Sequence, residues 1–227
     1  MFKVLLAGLF AFLLSFGAMG KAKNFVSTQR ISTKVAGVEV PIRVFYPTAN
    51  QTMGTRFGPW KLDIAKNAEP IDGTFPLIMI SHGLGGNDWN HHMLASLLVE
   101  AGFVVAAVRH PDDFLRVGEP EHGILRPLEL SAALNQLLED ERFSILIDED
   151  RVGAFGFSVG GYTVLAAAGG LVDRSRIAEH CGTPQNDPEF CIGEEGGERF
   201  HLWLRAKRNL YSMPKVDTEQ DLYDKRI

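Results

Sequence analysis

Two stretches near the start of the chain alternate between apolar and polar positions. Residues 26–35 and 38–46 read as strands joined at Gly37. In the second, Val38, Val40, Ile42, Val44 and Tyr46 are apolar or aromatic at even spacing, the period of a half-buried strand. Residues 47–73 have no clear period and contain Gly54, Gly58, Pro59, Pro70 and Gly73, so they read as a long surface loop. The pattern then changes. Residues 76–80 and 103–108 are continuous apolar runs, and 151–157 is a third strand signal. Strands covered on both faces lose their alternation in this way. Between them lie helical stripes. One runs from about 89 to 101, with Met93, Leu94, Leu97 and Leu98 on one face and Gly102 as its stop. Another carries Leu130, Leu134, Leu137 and Leu138, with Pro127 in its first turn. A third, rich in alanine, covers 162–169.

Strands that alternate with helices build βαβ units. The expected class is therefore α/β: a mostly parallel sheet with an antiparallel N-terminal pair and helices on both faces. The core is expected over 26–170. Residues 171–227 lose the pattern and read as an insertion or lid with one helix, 200–211, and then the start of a further strand unit. A sheet ending on its third buried strand leaves an edge to be covered, so poor solubility is expected.

The N-terminus carries a separate message. Lys3 precedes an uncharged, largely apolar run over 4–20, followed by Lys21 and Lys23, and Ala18 and Gly20 flank Met19. This reads as a signal peptide over 1–20 and an exported protein. A retained anchor is the second reading, since a spanning helix needs about 20 apolar residues. In an exported chain the two cysteines, Cys181 and Cys191, are expected to form a disulfide; the alternative is two free thiols. The chain is ordinary in its hydrophobic (45%) and charged (22%) fractions, and its net charge of −5 includes no basic stripe suited to nucleic acid.

The chemistry concentrates at two turns. Gly156-Phe157-Ser158-Val159-Gly160 fits G-x-S-x-G, with a strand before and a helix after it. A serine on such a turn projects its hydroxyl into a cleft. Gly156 and Gly160 allow the close approach, and Gly161 extends the patch of small residues. Ser158 is thus the candidate nucleophile, and the Val159 N–H at the helix start is a candidate oxyanion donor. The second turn is Ser81-His82-Gly83-Leu84-Gly85-Gly86 after the first buried strand. Its glycines leave backbone N–H groups outside regular structure, and Leu84 is the candidate second donor. A dinucleotide fingerprint would need glycine at 88, where Asp88 stands. His82 is expected to fix the loop by hydrogen bonds, and His91 and His92 to lie at the surface. His110, Asp112, Asp113 and His122 read as one solvated loop, with a pocket wall or a metal site as the alternatives.

The segments 76–86, 102–110 and 150–161, taken in order, resemble the platelet-activating-factor acetylhydrolase and dienelactone-hydrolase-like branch of the α/β-hydrolases. The resemblance covers about 38–170. It implies an oxyanion hole from Leu84 and Val159, a small-molecule or lipid ester as substrate, and no cofactor or metal. Dienelactone hydrolases use a cysteine where this chain has Ser158, so the acetylhydrolase type is the nearer likeness. In that family the acid and the histidine follow the serine on later strands. Asp173, Asp187, Asp217, His180 and His201 do follow it here, without convincing strands. The expectation is a chain truncated at its C-terminal end. The function expected of the whole protein is carboxylic-ester hydrolysis. An inactive fragment or binding pseudo-enzyme is the alternative, and a peptidase of related fold a weaker one.

Overall fold

The computed structural model describes residues 24–111, 122–171, 179–180, 182–183 and 222–227. Strands β1 (Phe25–Val35) and β2 (Val38–Thr48) form an antiparallel hairpin in which Val35 faces Val38. Its two-residue turn, Ala36-Gly37, has positive φ at both positions, 49° and 80°. That turn matches the right-handed twist of the strands.

The expected loop over 47–73 is instead partly strand. A small hairpin, β3 (Thr55–Phe57) and β4 (Trp60–Leu62), is followed by β5 (Ile64–Lys66), which adds to β1 in parallel. Three-residue strands are too short to show a period, so only pairing with β1 defines β5. Side chains of β2 hold the segment beyond β5: Tyr46 Oη donates to Ala68 O (2.8 Å) and Thr48 Oγ1 to Glu69 O (2.6 Å). Backbone groups outside the ladder are satisfied in this way.

Strands β6 (Phe75–Ser81), β7 (Val104–Val108) and β8 (Ile147–Gly156) complete a six-stranded sheet in the order β5-β1-β2-β7-β6-β8. The β6–β7 and β6–β8 pairs are parallel, and β7 meets β2 antiparallel. All five residues of β7 are buried. Val104, Ala106 and Val108 pack in one core with Ile42, Val44 and Met79, beneath Leu130, Leu134 and Leu137 of α2 (His122–Glu139). Val105 and Ala107 pack in the other, with Phe45 and Ile80, under α1 (His92–Glu100). This is the mixed, mostly parallel sheet with helices on both faces that the pattern predicts.

Two helical readings need correction. In α1 the fully buried residues are Ala95 and Val99, while Met93 and Leu97 are exposed at 73% and 64%. Small side chains let the helix lie close to the sheet, and that outranks the larger stripe. Pro127 is not in the first turn of α2 but inside the helix, five residues after its start. A proline there costs one hydrogen bond, to the carbonyl of residue 123. After α2 comes a short α3 (Glu141–Ser144), capped by Asp140, and after β8 comes helix α4 (Val159–Ala167). Among the described residues β8 pairs only with β6. No helix among those residues is long and apolar enough to cross a membrane. The apolar run over 4–20, Cys181, Cys191 and most of 171–227 lie outside the described residues.

Candidate active site

The two glycine-bearing turns meet because β6 and β8 end in register. Ser81 pairs with Gly156, and Phe157 N donates to Ser81 O at 3.2 Å. Immediately beyond, Ser158 has φ 54° and ψ −120° and stands at the head of α4 with its side chain exposed. A non-glycine residue with positive φ is strained, at a cost of about 1–3 kcal/mol. The surrounding packing enforces it. A Cβ on Gly156 would lie 2.0 Å from Gly160 O, and one on Gly160 2.1 Å from Ser81 O and 2.8 Å from His82 O. Gly161 is different from what the motif suggests. A Cβ there meets Gly156 O at 3.6 Å, an ordinary contact, so the elbow does not require it.

The first turn leans on the second. A Cβ on Gly83 would meet the Phe157 ring at 3.0 Å. Gly86 N donates to Gly83 O (3.0 Å), closing a turn with Leu84 and Gly85 at its corners and φ 69° at Gly85. Leu84 is partly exposed. Neither the Leu84 nor the Val159 amide has an acceptor among the described residues. His82 is buried, with Nδ1 2.7 Å from Gly83 O and Nε2 3.1 Å from His110 N. A carbonyl only accepts and an amide N–H only donates, so His82 is neutral with its proton on Nδ1. Both ring nitrogens hold backbone.

His110 contradicts the expectation of a solvated loop. It is 3% exposed and lies within a buried polar network that the sequence reading missed. Its Nε2 is 2.8 Å from Ser81 Oγ, and its Nδ1 2.6 Å from Glu129 Oε2. Arg126 Nη2 donates to His82 O and, at 3.4 Å, to Ser81 Oγ. Because Arg126 only donates, the Ser81 hydroxyl proton is free to go to His110 Nε2, and His110 Nδ1–H goes to Glu129. This is a serine–histidine–carboxylate chain, but Ser81 is 0% exposed and Glu129 2%. Its three side chains are closed to solvent. It braces Ser81 and His82, whose carbonyls form the wall against which Gly160 rests. A signal for it was present: Arg126 lies one helical turn before Leu130, on the apolar stripe of α2, where a charge must have buried partners.

The remaining histidines are also clearer. His91 precedes α1, with its ring 5.4 Å from Phe155 and 5.9 Å from Phe157. Its Nε2 is buried without a hydrogen-bond partner, and burial lowers its pKa, so it is not the surface residue expected. His92 Nδ1 lies 2.8 Å from Trp89 O. His180 is exposed; Asp112, Asp113, Asp173, Asp187, Asp217, His201, Cys181 and Cys191 lie outside the described residues. His122 begins α2. Among the described residues, no group of three or more His, Cys, Asp or Glu is gathered as metal ligands would be.

A ferulic acid esterase from Streptomyces cinnamoneus superposes with a TM-score of 0.53 at 18% identity, over 65% of this chain and 55% of its own. The fold is that of the α/β-hydrolases. The sequence family described as platelet-activating factor acetylhydrolase, isoform II, matches residues 34–117 of this chain, a segment that contains the Leu84 turn but not Ser158. A dienelactone hydrolase from Anabaena variabilis is similar at 18% identity, with a TM-score of 0.41, over 62% of this chain and 56% of its own. The chain therefore spans about half the length of the solved structures it matches. A comparison with curated proteins finds no match. The matched family and these relatives are described as hydrolases. At this identity the structural likeness itself establishes the fold.

Proposed function

We propose that this α/β-hydrolase belongs to a serine carboxylic-ester hydrolase of acetylhydrolase type, with Ser158 as nucleophile. The observation that carries the reading is the strained, exposed serine between β8 and α4, on a turn whose glycines are demanded by contact with Gly160 O and Ser81 O. Strain at a single exposed polar residue is a mark of function rather than of stability.

In the proposed reaction the Ser158 hydroxyl attacks the ester carbonyl while a histidine takes its proton. The C–O bond to the alcohol then breaks, and water releases the acid from the acyl-enzyme. The Leu84 and Val159 amides are assigned to the tetrahedral oxyanion. One donor of this kind is worth roughly 100- to 1000-fold in rate. The reading assigns no histidine and no acid. Its substrate class, a short-chain or phospholipid-like acyl ester, is supported by the family match over 34–117.

A fluorophosphonate probe tests the nucleophile. Labelling of the folded protein that maps to Ser158 and disappears in Ser158→Ala supports it; a folded protein that stays unlabelled points to a binding pseudo-enzyme instead. We also propose that residues 1–20 direct export. The N-terminal sequence of the mature protein, beginning after Gly20, is the corresponding check.

A further inference from the structure

Beside β1 and β2 lies a concavity of about 500 Å³. It opens where β1 and β2 meet the β3–β4 hairpin. Its lining includes no residue of the Gly156–Gly161 turn; Trp89, which does line it, stands two residues before His91, whose ring is 5.9 Å from Phe157. Two features define it. The first is charge. Arg30, Arg43, Arg56 and Lys66 line it. The carboxylate beside them is Asp88, 5% exposed, which accepts from Arg43 Nε at 3.0 Å and pairs with Arg30 Nε at 3.5 Å. One carboxylate shared by two guanidiniums leaves positive charge in excess, in a chain whose net charge is −5. The Arg43 pKa reflects the crowding: burial lowers it, Asp88 pulls it up, and Arg30 lowers it again.

The second feature is flat apolar surface. The Arg43 guanidinium stacks 4.1 Å from the centre of the Trp89 ring, and Lys66 Nζ lies 4.7 Å from that of Phe57. Phe57 and Trp89 touch with centroids 4.7 Å apart, and Trp60 also lines the cavity, 46% exposed. Arg43 is held on both sides, by Asp88 and by Trp89, so its planar fork is oriented before any ligand arrives. An inorganic anion would satisfy the charge but leave the Trp60 ring uncovered, and the volume is that of a small organic ligand.

We propose that this pocket binds a small aromatic carboxylate, with the carboxylate facing Arg43, Arg56 and Lys66 and the ring against Trp60. The proposal does not depend on Ser158 being a nucleophile.

Benzoate is the probe, titrated into the 227-residue protein and followed by calorimetry and by tryptophan fluorescence. Trp60 and Trp89 are two of the three tryptophans in the chain. Saturable binding that changes the fluorescence and weakens with added salt is expected. The exposed double variant Arg56→Gln/Lys66→Gln weakens it roughly tenfold, as loss of charge-assisted contacts should. Trp60→Ala weakens it as well, and circular dichroism checks that both variants fold. Ser158→Ala binds benzoate as the parent does, which separates this site from the proposed active site. The proposal is overturned if both folded variants bind unchanged, if inorganic phosphate or benzyl alcohol binds as tightly as benzoate, or if Ser158→Ala abolishes binding.

Discussion

A Cβ placed on Gly160 would lie 2.1 Å from the carbonyl oxygen of Ser81. No backbone contact tolerates that distance, so the end of β6 or the start of α4 would have to move. Gly160→Ala is therefore expected to destabilise the protein by at least about 3 kcal/mol, the upper range for overpacking a rigid site. Gly161→Ala, whose added methyl has ordinary contacts, is expected to be neutral or to gain up to about 1 kcal/mol from helix propensity. Urea unfolding of the two variants side by side checks the contrast. Equal effects would mean that the elbow is not packed as described.

Strain at Ser158 gives a second prediction. Glycine adopts its backbone angles without a Cβ clash, at some cost in unfolded-chain entropy. Ser158→Gly is expected to raise stability by about 1 kcal/mol, the residue of a strain of about 1–3 kcal/mol. It should also abolish labelling by a fluorophosphonate. A variant that is less stable than the parent would show that the serine side chain holds the turn.

The buried network makes Glu129 costly to lose. Glu129→Leu removes the acceptor of the His110 Nδ1 proton and the carboxylate nearest the buried Arg126–Ser81–His110 group. Breaking one side of a buried charged network costs about 3–5 kcal/mol. Thermal melting should show this loss. A shift within error would place Glu129 outside the set of residues that support the elbow.

Protonation of His91 predicts a pH dependence. Burial against Phe155 and Phe157 holds its pKa below the ordinary 6.5. As pH falls below that value, the unfolded chain takes up the proton first, so stability declines until the folded-state pKa is passed. Asp140, Asp148 and Asp224 also have lowered pKa values, through hydrogen bonds from Arg142, Arg151 and Arg226. The stability they add is lost in a more acidic window, below their ordinary value of 3.8. Denaturant midpoints measured across mildly acidic pH should fall more steeply for the parent than for His91→Phe. His91 carries no capping hydrogen bond, so the variant leaves α1 intact.

At the first hairpin, Ala36 has φ 49°, a region where a Cβ costs roughly 1–2 kcal/mol in L-residues. Asparagine tolerates it far better and makes the Asn-Gly pair that such turns favour. Ala36→Asn should raise the urea midpoint, with a gain of about 1 kcal/mol. No gain would indicate that the turn relaxes in solution.

The elements with a strong period were readable along the chain. The alternation from Val38 to Tyr46 and the apolar runs of β6 and β7 announce which strands are half covered and which are sandwiched. The Gly156–Gly160 spacing announces a turn between strand and helix. These are local signals, set by side-chain period and by backbone freedom. The features that stayed hidden depend on partners distant in sequence. β5 is a strand only because β1 offers it an edge. Met93 and Leu97 point outward because Ala95 and Val99 approach the sheet more closely. His110 is interior because Ser81 and Glu129, 29 and 19 residues away, close around it. Tertiary structure decided these matters, since a buried polar group or a three-residue strand has no stable form until another segment supplies its hydrogen bonds.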